Sequence, residues 1–572
     1  MDSIVFLVLR RMRAPLLTLI VVYSIAIVGL VLIPGRDPDG GTWHLSFFHA
    51  FYFVSYMSTT IGFGELPRAF SDAQRIWVTL CIYATVISWL YSVGSMIALL
   101  QDKALRRAME ERRFAHHVRR IKEDFYLVCG YGQTGSGLVR ALTDRNQRAV
   151  VLDNNPERID LLRLEPLREF VPALRADVRR PDNLLLAGLR SPYCAGVLAL
   201  TSSNEVNLKV ALAAKLMHQG VQVVCRADSH DVEANMASFG TDHIYDPFDI
   251  FARYLGRAID SPCLTSLQDW LGRLHGSTLP DPVYPPAEGL WIICGYGRFG
   301  KALYGHLAEQ GVELIVIEME PEATGLPPGP LIKGRGTEAV TLEQADIYRA
   351  AGLVAGTDND ANNLSIVMTA KQLNPELFTV VRENHLMNDG LFQAVNADIL
   401  MHPSLIVAQR IQTLLSAPLL MEFVAQAEKE PDSWCCELVS RIIALVEDRP
   451  PSLWELSVGT AFGYAAKCLE PSGARPTLED LLRDPRNRDE PLPAIVLVQR
   501  CQGEHWPLPA LDRPLCVGDH LLVCGRSEAQ GWMQWTLNNP DVLTYVVTGA
   551  QPSRGALWRW LKQRLMQQHP GS

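Results

Sequence analysis

Residues 125–142 read FYLVCGYGQTGSGLVRAL, and residues 290–307 read LWIICGYGRFGKALYGHL. Each segment begins as a short apolar run typical of a buried strand, turns at a Gly-x-Gly-x-x-Gly loop, and continues with the spacing of an amphipathic helix. The two segments align without a gap. The chain therefore carries the same strand, loop and helix twice.

The similarity continues beyond these segments at a nearly constant spacing. An offset of 165 residues relates the two glycine loops and also relates Asp153 to Glu318. Farther along, an offset of 156 residues relates three more pairs, which are Asn207 and Asn363, Arg226 and Arg382, and Asp246 and His402. Unrelated domains would not keep register in this way, so the sequence predicts an internal duplication.

Each repeat has the elements of a Rossmann dinucleotide-binding unit, which are strand, glycine loop, helix, strand and acidic residue. The first glycine makes the turn, the second lets the backbone approach a pyrophosphate, and the third lets the helix pack on the strand. Asp153 and Glu318 are expected to accept hydrogen bonds from ribose hydroxyls, which favours NAD(H) or an adenine nucleotide over NADP. The candidate nucleotide-binding residues are Gly130, Tyr131, Gly132, Gln133, Thr134, Gly135 and Asp153 in the first repeat, and Gly295, Tyr296, Gly297, Arg298, Phe299, Gly300 and Glu318 in the second.

Length and composition limit the class of protein. The chain of 572 residues is long enough for about three to five domains. Its 48% hydrophobic content excludes disordered and collagen-like chains, and 12 cysteines over this length exclude a disulfide miniprotein. The formal net charge of −9 argues against a nucleic-acid partner. A mean hydropathy of +0.06 is too low for a polytopic transporter, but it leaves room for a few membrane spans.

Two stretches near the start, residues 14–33 and 76–100, contain no Asp, Glu, Lys or Arg. At a rise of about 1.5 Å per residue, each is long enough to cross a hydrocarbon core of about 30 Å. The first is longer than the apolar core of a signal peptide, and no small-residue cleavage site follows it. Basic residues precede the first stretch and follow the second, so both flanks are expected in the cytoplasm.

Residues 42–64 lie between these spans and also lack Asp, Glu, Lys and Arg. A third full span would place the second basic cluster outside, so a re-entrant segment is expected instead. Its end, TIGFGE at 60–65, resembles the selectivity-filter pattern TVGYGD of potassium channels, whose glycines let successive carbonyls point at one axis. The resemblance assigns the filter to Thr60, Ile61, Gly62, Phe63 and Gly64.

Three filter positions depart from the family pattern. Ile61 in place of Val keeps a β-branched side chain, and Glu65 in place of Asp keeps the outer carboxylate. Phe63 in place of Tyr loses the hydroxyl with which family members brace the filter. Potassium selectivity is expected, and its degree stays open. In the second span, Gly94 is a candidate hinge for an inner-helix gate, with close helix packing as its alternative role.

Together, the pore segment and the repeats resemble two-span prokaryotic potassium channels with tandem cytoplasmic RCK (regulator of potassium conductance, TrkA-N/TrkA-C-like) domains. The fold class this implies is a membrane α-helical potassium-channel pore domain, followed by α/β Rossmann-like tandem RCK domains and a small α+β C-terminal subdomain. The expected boundaries are 1–105 for the two-helix pore domain, 106–123 for a linker, 124–288 for the first RCK domain, 289–430 for the second, 431–530 for the C-terminal subdomain and 531–572 for a tail.

The resemblance also implies an assembly and a location. Four copies are expected to form a homotetramer whose eight RCK domains make a cytoplasmic gating ring that is controlled by a bound nucleotide. The expected location is the plasma membrane of a prokaryote, as a multi-pass protein in contact with lipid, with the N terminus and the RCK domains in the cytoplasm. Potassium ions are expected in the filter.

Two other functions stay open. Phe63 and Glu65 are compatible with a nonselective cation channel. The repeats alone would suit a membrane-anchored NAD-dependent oxidoreductase, although no candidate proton-transfer residue lies beside either glycine loop, so no catalytic residue is assigned and no enzyme is expected. No calcium-binding loop is readable among the dispersed acidic residues, so calcium binding stays open and no protein metal ligand is assigned.

Overall fold

The computed structural model describes residues 2–36, 41–64, 68–272, 283–447, 451–469 and 474–550. Two compact units are present. The N-terminal unit comprises Met1–Lys122 with the short segments Pro172–Leu174 and Leu185–Gly188, and the C-terminal unit comprises Glu123–Val171, Arg175–Leu184 and Leu189–Ser572.

The N-terminal unit is helical. Its elements are α1 (Asp2–Leu32), β1 (Gly35–Arg36), β2 (Thr42–Trp43), α2 (Phe47–Ser58), α3 (Asp72–Gln101) and α4 (Lys103–Arg120). The segments Arg10–Leu32 and Asp72–Gln101 are long and apolar enough to cross a membrane, as the sequence predicts. In the second repeat, the helices Pro403–Leu415 and Pro418–Ala427 form a bent pair. They are long and apolar enough to cross a membrane only when the two are counted as one span.

Helices α1 and α3 pack side by side, and polar side chains tie them at two levels. The Trp77 indole donates to the Ala26 carbonyl at 3.2 Å, and the Ser92 hydroxyl donates to the Pro15 carbonyl at 3.1 Å. The shorter α2 packs against both helices, and the hydroxyl of its N-cap residue, Ser46, accepts from the His49 amide. The short helix α2 and the loop that follows it are therefore held between the long helices α1 and α3.

The first repeat folds as a six-stranded sheet with strand order β5-β4-β3-β6-β7-β8. Strand β3 pairs in parallel with β4 and β6, and β7 pairs in parallel with β6 and β8. Its elements are β3 (Phe125–Cys129), α5 (Gln133–Asp144), β4 (Arg148–Asp153), α6 (Pro156–Leu164), β5 (Ala173–Arg175), α7 (Pro181–Leu186), β6 (Cys194–Ala199), α8 (Asn204–Met217), β7 (Gln222–Arg226), α9 (His230–Ser238), β8 (His243–Tyr245), α10 (Pro247–Asp260) and α11 (Pro262–Gly272).

The second repeat has the same strand order, β11-β10-β9-β12-β13-β14, with every pair parallel. This equivalence confirms the predicted tandem Rossmann-like fold. Its elements are β9 (Leu290–Cys294), α12 (Arg298–Glu309), β10 (Glu313–Glu318), α13 (Pro321–Thr324), β11 (Leu331–Lys333), α14 (Ala339–Gln344), β12 (Ala350–Ala355), α15 (Asp360–Leu373), β13 (Phe378–Arg382), a 3-10 turn (Leu386–Asn388), α16 (Asp389–Val395), β14 (Ile399–Met401), α17 (Pro403–Ser416), α18 (Pro418–Ala427) and α19 (Asp432–Val446).

The two repeats exchange the helices that follow their last strands, α10 and α17. Helix α10 leaves the first sheet and packs on α12 of the second repeat, while α17 packs on α5 of the first. The buried side chains Phe248, Phe251 and Leu255 of α10 join Phe299 and Leu303 in one apolar cluster. Burying aromatic side chains in this way stabilises the contact by roughly 1.5–3 kcal/mol each, so the repeats form one body.

The C-terminal subdomain is an antiparallel sheet of order β15-β18-β16-β17 covered by helices. Its elements are β15 (Ser452–Ser457), α20 (Thr460–Leu469), α21 (Leu478–Leu481), β16 (Ala494–Cys501), β17 (Glu504–Pro507), β18 (His520–Gly525), α22 (Ser527–Asn538) and α23 (Pro540–Thr548). This is the α+β subdomain that the sequence predicts.

One feature of this region differs from the sequence-based expectation, and another has no counterpart in it. The predicted boundary at residue 530 falls inside α22, and buried Met533, Leu537 and Leu543 place residues 531–548 of the predicted tail in the core of the subdomain. Cys436 is joined to Cys263 of α11 in a disulfide, across a sequence separation of 173 residues. Both arise from packing between segments that are distant in sequence.

Candidate functional site

The segment assigned to the filter has an alternating backbone. Thr60, Gly62 and Gly64 have φ angles of 63°, 62° and 74°, whereas Ile61 and Phe63 between them are not in the positive-φ region. In an extended chain, successive carbonyls point to opposite sides. When every second residue has a left-handed backbone conformation, successive carbonyls point to the same side. A β-carbon on Gly62 or Gly64 would have no steric neighbour within 4 Å in the described chain, so the backbone angle is what favours glycine there.

The helix before this segment holds its start. The Ile61 amide donates to the Tyr56 carbonyl at 3.1 Å, and the Thr60 amide donates to the Met57 carbonyl at 3.1 Å. The Phe63 ring meets the Tyr56 ring edge to face, with centroids 6.2 Å apart. Glu65 lies outside the described residues.

Gly94, the predicted hinge, lies in the unbroken helix α3. A β-carbon at this position would meet nothing within 4 Å among the described residues. Packing within one copy of the chain therefore gives no reason for glycine here.

The two glycine loops have the same geometry, and their three glycines have three different roles. Gly130 and Gly295 turn the chain at φ angles of 107° and 99°. A β-carbon on Gly135 would lie 2.0 Å from the Gly130 carbonyl oxygen, and one on Gly300 would lie 2.0 Å from the Gly295 oxygen. First and third glycines are thus required by the fold itself.

The second glycine of each loop is not required by the fold. Gly132 and Gly297 have φ angles of −83° and −71°, which any residue adopts. A β-carbon on Gly132 would be 3.7 Å from the Arg158 side chain, and one on Gly297 would meet no atom of the described chain within 4 Å. Both are the N-cap residues of α5 and α12, and no side chain accepts from the first amides of these helices. The loops are open where an anion would meet a helix N-terminus.

The acidic residues predicted to meet a ribose are already engaged by the backbone. Asp153 is 3% exposed and accepts from the amides of Tyr131 and Asn155 at 2.6 and 2.7 Å. Glu318 accepts from the amides of Tyr296 and Glu320 at 2.6 and 2.9 Å. A carboxylate has about four acceptor positions, so each could accept a further hydroxyl. Each acid also fixes the glycine loop beside it.

The first glycine loop opens onto a cleft of about 540 Å³, termed the first cleft, which is lined by both repeats. Of the predicted residues of the first repeat, Gly130, Gly132, Gln133, Thr134 and Asp153 line this cleft, and Tyr131 and Gly135 do not. From the second repeat, its lining includes Arg298, Arg382, Asn384 and His385. Arg298 was predicted to belong to the second nucleotide site, but the structure places it in the first cleft.

Positive charge is concentrated in the first cleft. Its charged lining consists of five arginines and three aspartates, which are Arg158, Arg179, Arg226, Arg298 and Arg382, and Asp153, Asp177 and Asp228. The guanidinium of Arg179 holds the pKa of the Asp177 carboxyl below its usual value. Such a lining suits a ligand that carries phosphate groups.

Asp228 joins the two repeats inside this cleft. It is 7% exposed and accepts from Arg226 Nε at 3.0 Å and from Arg298 Nη1 at 3.1 Å. Arg382 lies nearby with its guanidinium carbon 4.8 Å from the centre of the Phe248 ring, and burial lowers the pKa of this arginine. Arg226 and Arg382 stand out in the sequence as equivalent positions of the repeats. Asp228 and Arg158 carry no such signal. Arg158 Nη1 lies 3.4 Å from Asp153 of its own repeat, whereas Asp228 contacts Arg298 of the other repeat.

The second glycine loop opens onto a smaller cleft of about 390 Å³. Gly295, Gly297 and Glu318 line it, whereas Tyr296, Phe299 and Gly300 do not. Its charged lining consists of two arginines and three acids, which are Arg335 and Arg382, and Glu318, Glu320 and Asp358. Arg382 Nη1 is 2.7 Å from Asp358 Oδ1 in an ion pair. The second cleft is therefore less suited to phosphate groups than the first.

Comparison with known proteins gives a domain family and several relatives. The model of the TrkA-N domain family matches residues 126–247 and 291–403, which are the two repeats. Potassium channel protein 1 of Methanocaldococcus jannaschii is 31% identical over 140 residues, which are 23% of this chain and 42% of that protein. The voltage-gated potassium channel Kch of Escherichia coli is 25% identical over 224 residues, which are 38% of this chain and 52% of that protein.

Among solved structures, the GsuK channel is 18% identical with a TM-score of 0.49, covering 94% of this chain and 100% of that chain. A structure of the GsuK channel bound to NAD is 17% identical with a TM-score of 0.47 and the same coverage. The chain spans between 35% and 52% of the length of the first four curated relatives it matches.

Proposed function

Because residues 126–247 and 291–403 of the chain are TrkA-N domains, we propose that the protein is a potassium-selective channel gated by a nucleotide that binds in its C-terminal unit. The alternating backbone of residues 60–64 carries the proposal of conduction. Four copies would be needed to surround an ion with such carbonyls, so the functional protein is a homotetramer. Its place is the plasma membrane of a prokaryote, with the TrkA-N domains in the cytoplasm.

The exposed faces of the membrane helices support this assembly. Apolar side chains such as Leu17, Ile20, Ile76 and Ile87 are more than two-fifths exposed in the single chain. Lipid and neighbouring subunits would cover them. A single-chain NAD-dependent oxidoreductase would need lipid there as well, but it would have no use for the backbone alternation of the filter segment.

NAD(H) or an adenine nucleotide fits the first cleft as a regulatory ligand. The open N-terminus of α5 and Gly132 would receive its phosphates, the arginines would neutralise them, and Asp153 would accept from a ribose hydroxyl. Arg298 and Arg382 come from the other repeat, so bound phosphate would favour the arrangement of repeats in which all the arginines converge. A ligand shifts a gate only by such differential affinity between two states.

Ion flux in liposomes tests the conduction directly. Purified protein in liposomes should carry potassium and should exclude sodium, and Gly62→Ala should abolish the flux or its selectivity, because alanine is strained at a φ of 62°. Gly305→Ala in α12 is the matched control, because it adds the same methyl group to a helical glycine that has no role in the pore and has open space around it among the described residues. Equal sodium and potassium flux would support a nonselective cation channel, and absence of flux would contradict the channel proposal.

A further inference from the structure

Three side chains that neither cleft uses converge at one edge of the second sheet. Glu383 directly follows strand β13, Asp389 begins α16, and His402 lies between β14 and α17. One carboxylate oxygen of each acid and one imidazole nitrogen all lie within 4.8 Å of one another. The set combines three separate elements, so it is a product of the fold and does not arise from one charged segment.

Glu383 is buried and, among the described residues, its carboxylate accepts no hydrogen bond. The residue is 1% exposed, and neither of its carboxylate oxygens has a hydrogen-bond partner among the described residues. The Nδ1 atom of His402 is also buried and without a hydrogen bond, although it lies 3.3 Å from Glu383 Oε2. A buried polar group of this kind costs about 1–3 kcal/mol, and more when it is charged. Something that is not part of the chain is therefore expected to lie between these groups.

The first repeat shows what the same positions do without such a site. Its residue equivalent to His402 is Asp246, whose carboxylate caps α10 by accepting from the amides of Phe248 and Asp249 at 2.8 and 3.4 Å. His402 makes no capping bond to α17, a loss of about 1 kcal/mol for that helix. Ala227 occupies the position equivalent to Glu383. The imidazole and the buried carboxylate thus occur together only in the second repeat.

We propose that Glu383, Asp389 and His402 bind a divalent transition-metal cation of the zinc class. One imidazole nitrogen and two carboxylate oxygens are a ligand set that Zn²⁺ accepts, with water in the fourth position. Calcium and magnesium prefer oxygen ligands alone, so an imidazole disfavours them. Asp389 keeps one oxygen for the metal, while the other accepts from Gln393 Nε2 at 2.7 Å.

This site is separate from the first cleft and does not depend on the channel proposal. Arg382 and Asn384, the neighbours of Glu383, line the first cleft, but Glu383 itself does not. A bound cation would link the end of β13 to the starts of α16 and α17. It would therefore stiffen the segment that carries Arg382 into the first cleft.

Zinc binding by the full chain in detergent tests the proposal. Cys501 and Cys516 lie close to Asp519 in another group that could hold a metal, so both are replaced by serine in the parent protein. The assay is run without reductant, so that Cys263 and Cys436 stay joined. Competition with a chromophoric chelator should show one Zn²⁺ per chain in the parent that a millimolar excess of Ca²⁺ does not displace.

His402→Asn and Glu383→Gln should each lose this equivalent of zinc and the rise in melting temperature that zinc causes. Asparagine is a good N-cap, so His402→Asn is expected to fold even where another variant does not. Asp246→Asn in the first repeat is the matched control and should bind zinc as the parent does. A parent that binds no zinc, or a His402→Asn variant that binds it equally well, would overturn the proposal.

Discussion

At the scale of single residues, glycines divide into those that the fold requires and those that only a ligand or an ion path would require. Gly135 and Gly300 have no room for a β-carbon, so packing alone explains why glycine occupies these two positions. Gly132 and Gly297 have room and ordinary φ angles. A methyl group at these two positions would fit the loop as it is folded and would collide with a bound pyrophosphate.

Gly132→Ala should therefore weaken nucleotide binding by more than about tenfold, equivalent to about 1.4 kcal/mol. The free energy of unfolding should fall by no more than about 1 kcal/mol, because alanine is a poorer N-cap than glycine. Calorimetry with NAD⁺ and with ADP on the full chain in detergent measures the affinity. Gly297→Ala makes the same change at the N-cap of α12 and should leave nucleotide binding to the first cleft unaffected. Equal weakening in both variants would contradict the assignment to the first cleft.

The contribution of the Asp246 carboxyl to the free energy of unfolding is expected to depend on pH. Burial raises the pKa of its carboxyl from 3.8 to about 6 in the folded protein. Because the folded pKa lies above the unfolded one, the free energy of unfolding falls as pH rises between about 4 and 6, and the penalty is complete above that range.

Asp246→Asn keeps an N-cap and removes this penalty. The variant should be stabilised at pH 8, and its gain at pH 5 should be smaller by about 1 kcal/mol, or about 2–4 °C in melting temperature. Thermal unfolding at the two pH values measures the difference. A gain that is equal at pH 5 and pH 8 would show that the carboxylate carries no such penalty.

At the scale of elements, local pattern predicted the repeats well because each strand, loop and helix is encoded within about thirty residues. The clefts were predicted less completely. Arg298 lies within the second glycine loop in sequence, yet it bonds to Asp228 of the first repeat because α10 crosses between the repeats. Contacts made by exchanged helices and by the Cys263–Cys436 disulfide have no local signal. Asp228 was missed for this reason.

Helices α22 and α23 were missed because they follow the last strand of the subdomain and carry no family motif. Met533 of α22 is fully buried in the cluster that includes Trp454 and Phe462. Met533→Ala should therefore lower the free energy of unfolding by about 2–5 kcal/mol. Gln534→Ala, one residue further along on the exposed side, should change it by less than about 0.5 kcal/mol. Denaturant unfolding of the two variants makes the comparison, and equal stability would place α22 outside the core.

At the scale of the whole molecule, the sequence predicted an apolar helical part and a tandem α/β part, and the fold confirms both. The filter assignment stays a prediction. The proposed function connects the helical and the α/β parts, because a nucleotide in the first cleft is proposed to change conduction through the filter. Binding alone would not establish this, since a ligand with equal affinity for open and closed states has no effect on gating. A coupling of about 1–3 kcal/mol would change the open probability several-fold.

Single-channel recording in planar bilayers tests this claim most directly. Millimolar NAD⁺ or ADP, added on the side of the C-terminal unit, should change the open probability of potassium currents several-fold in the unaltered protein and in Gly297→Ala. The same addition should have little effect on Gly132→Ala, whose currents should otherwise be normal. Potassium currents that ignore both nucleotides, or a Gly132→Ala channel that responds as strongly as the unaltered protein, would contradict the account.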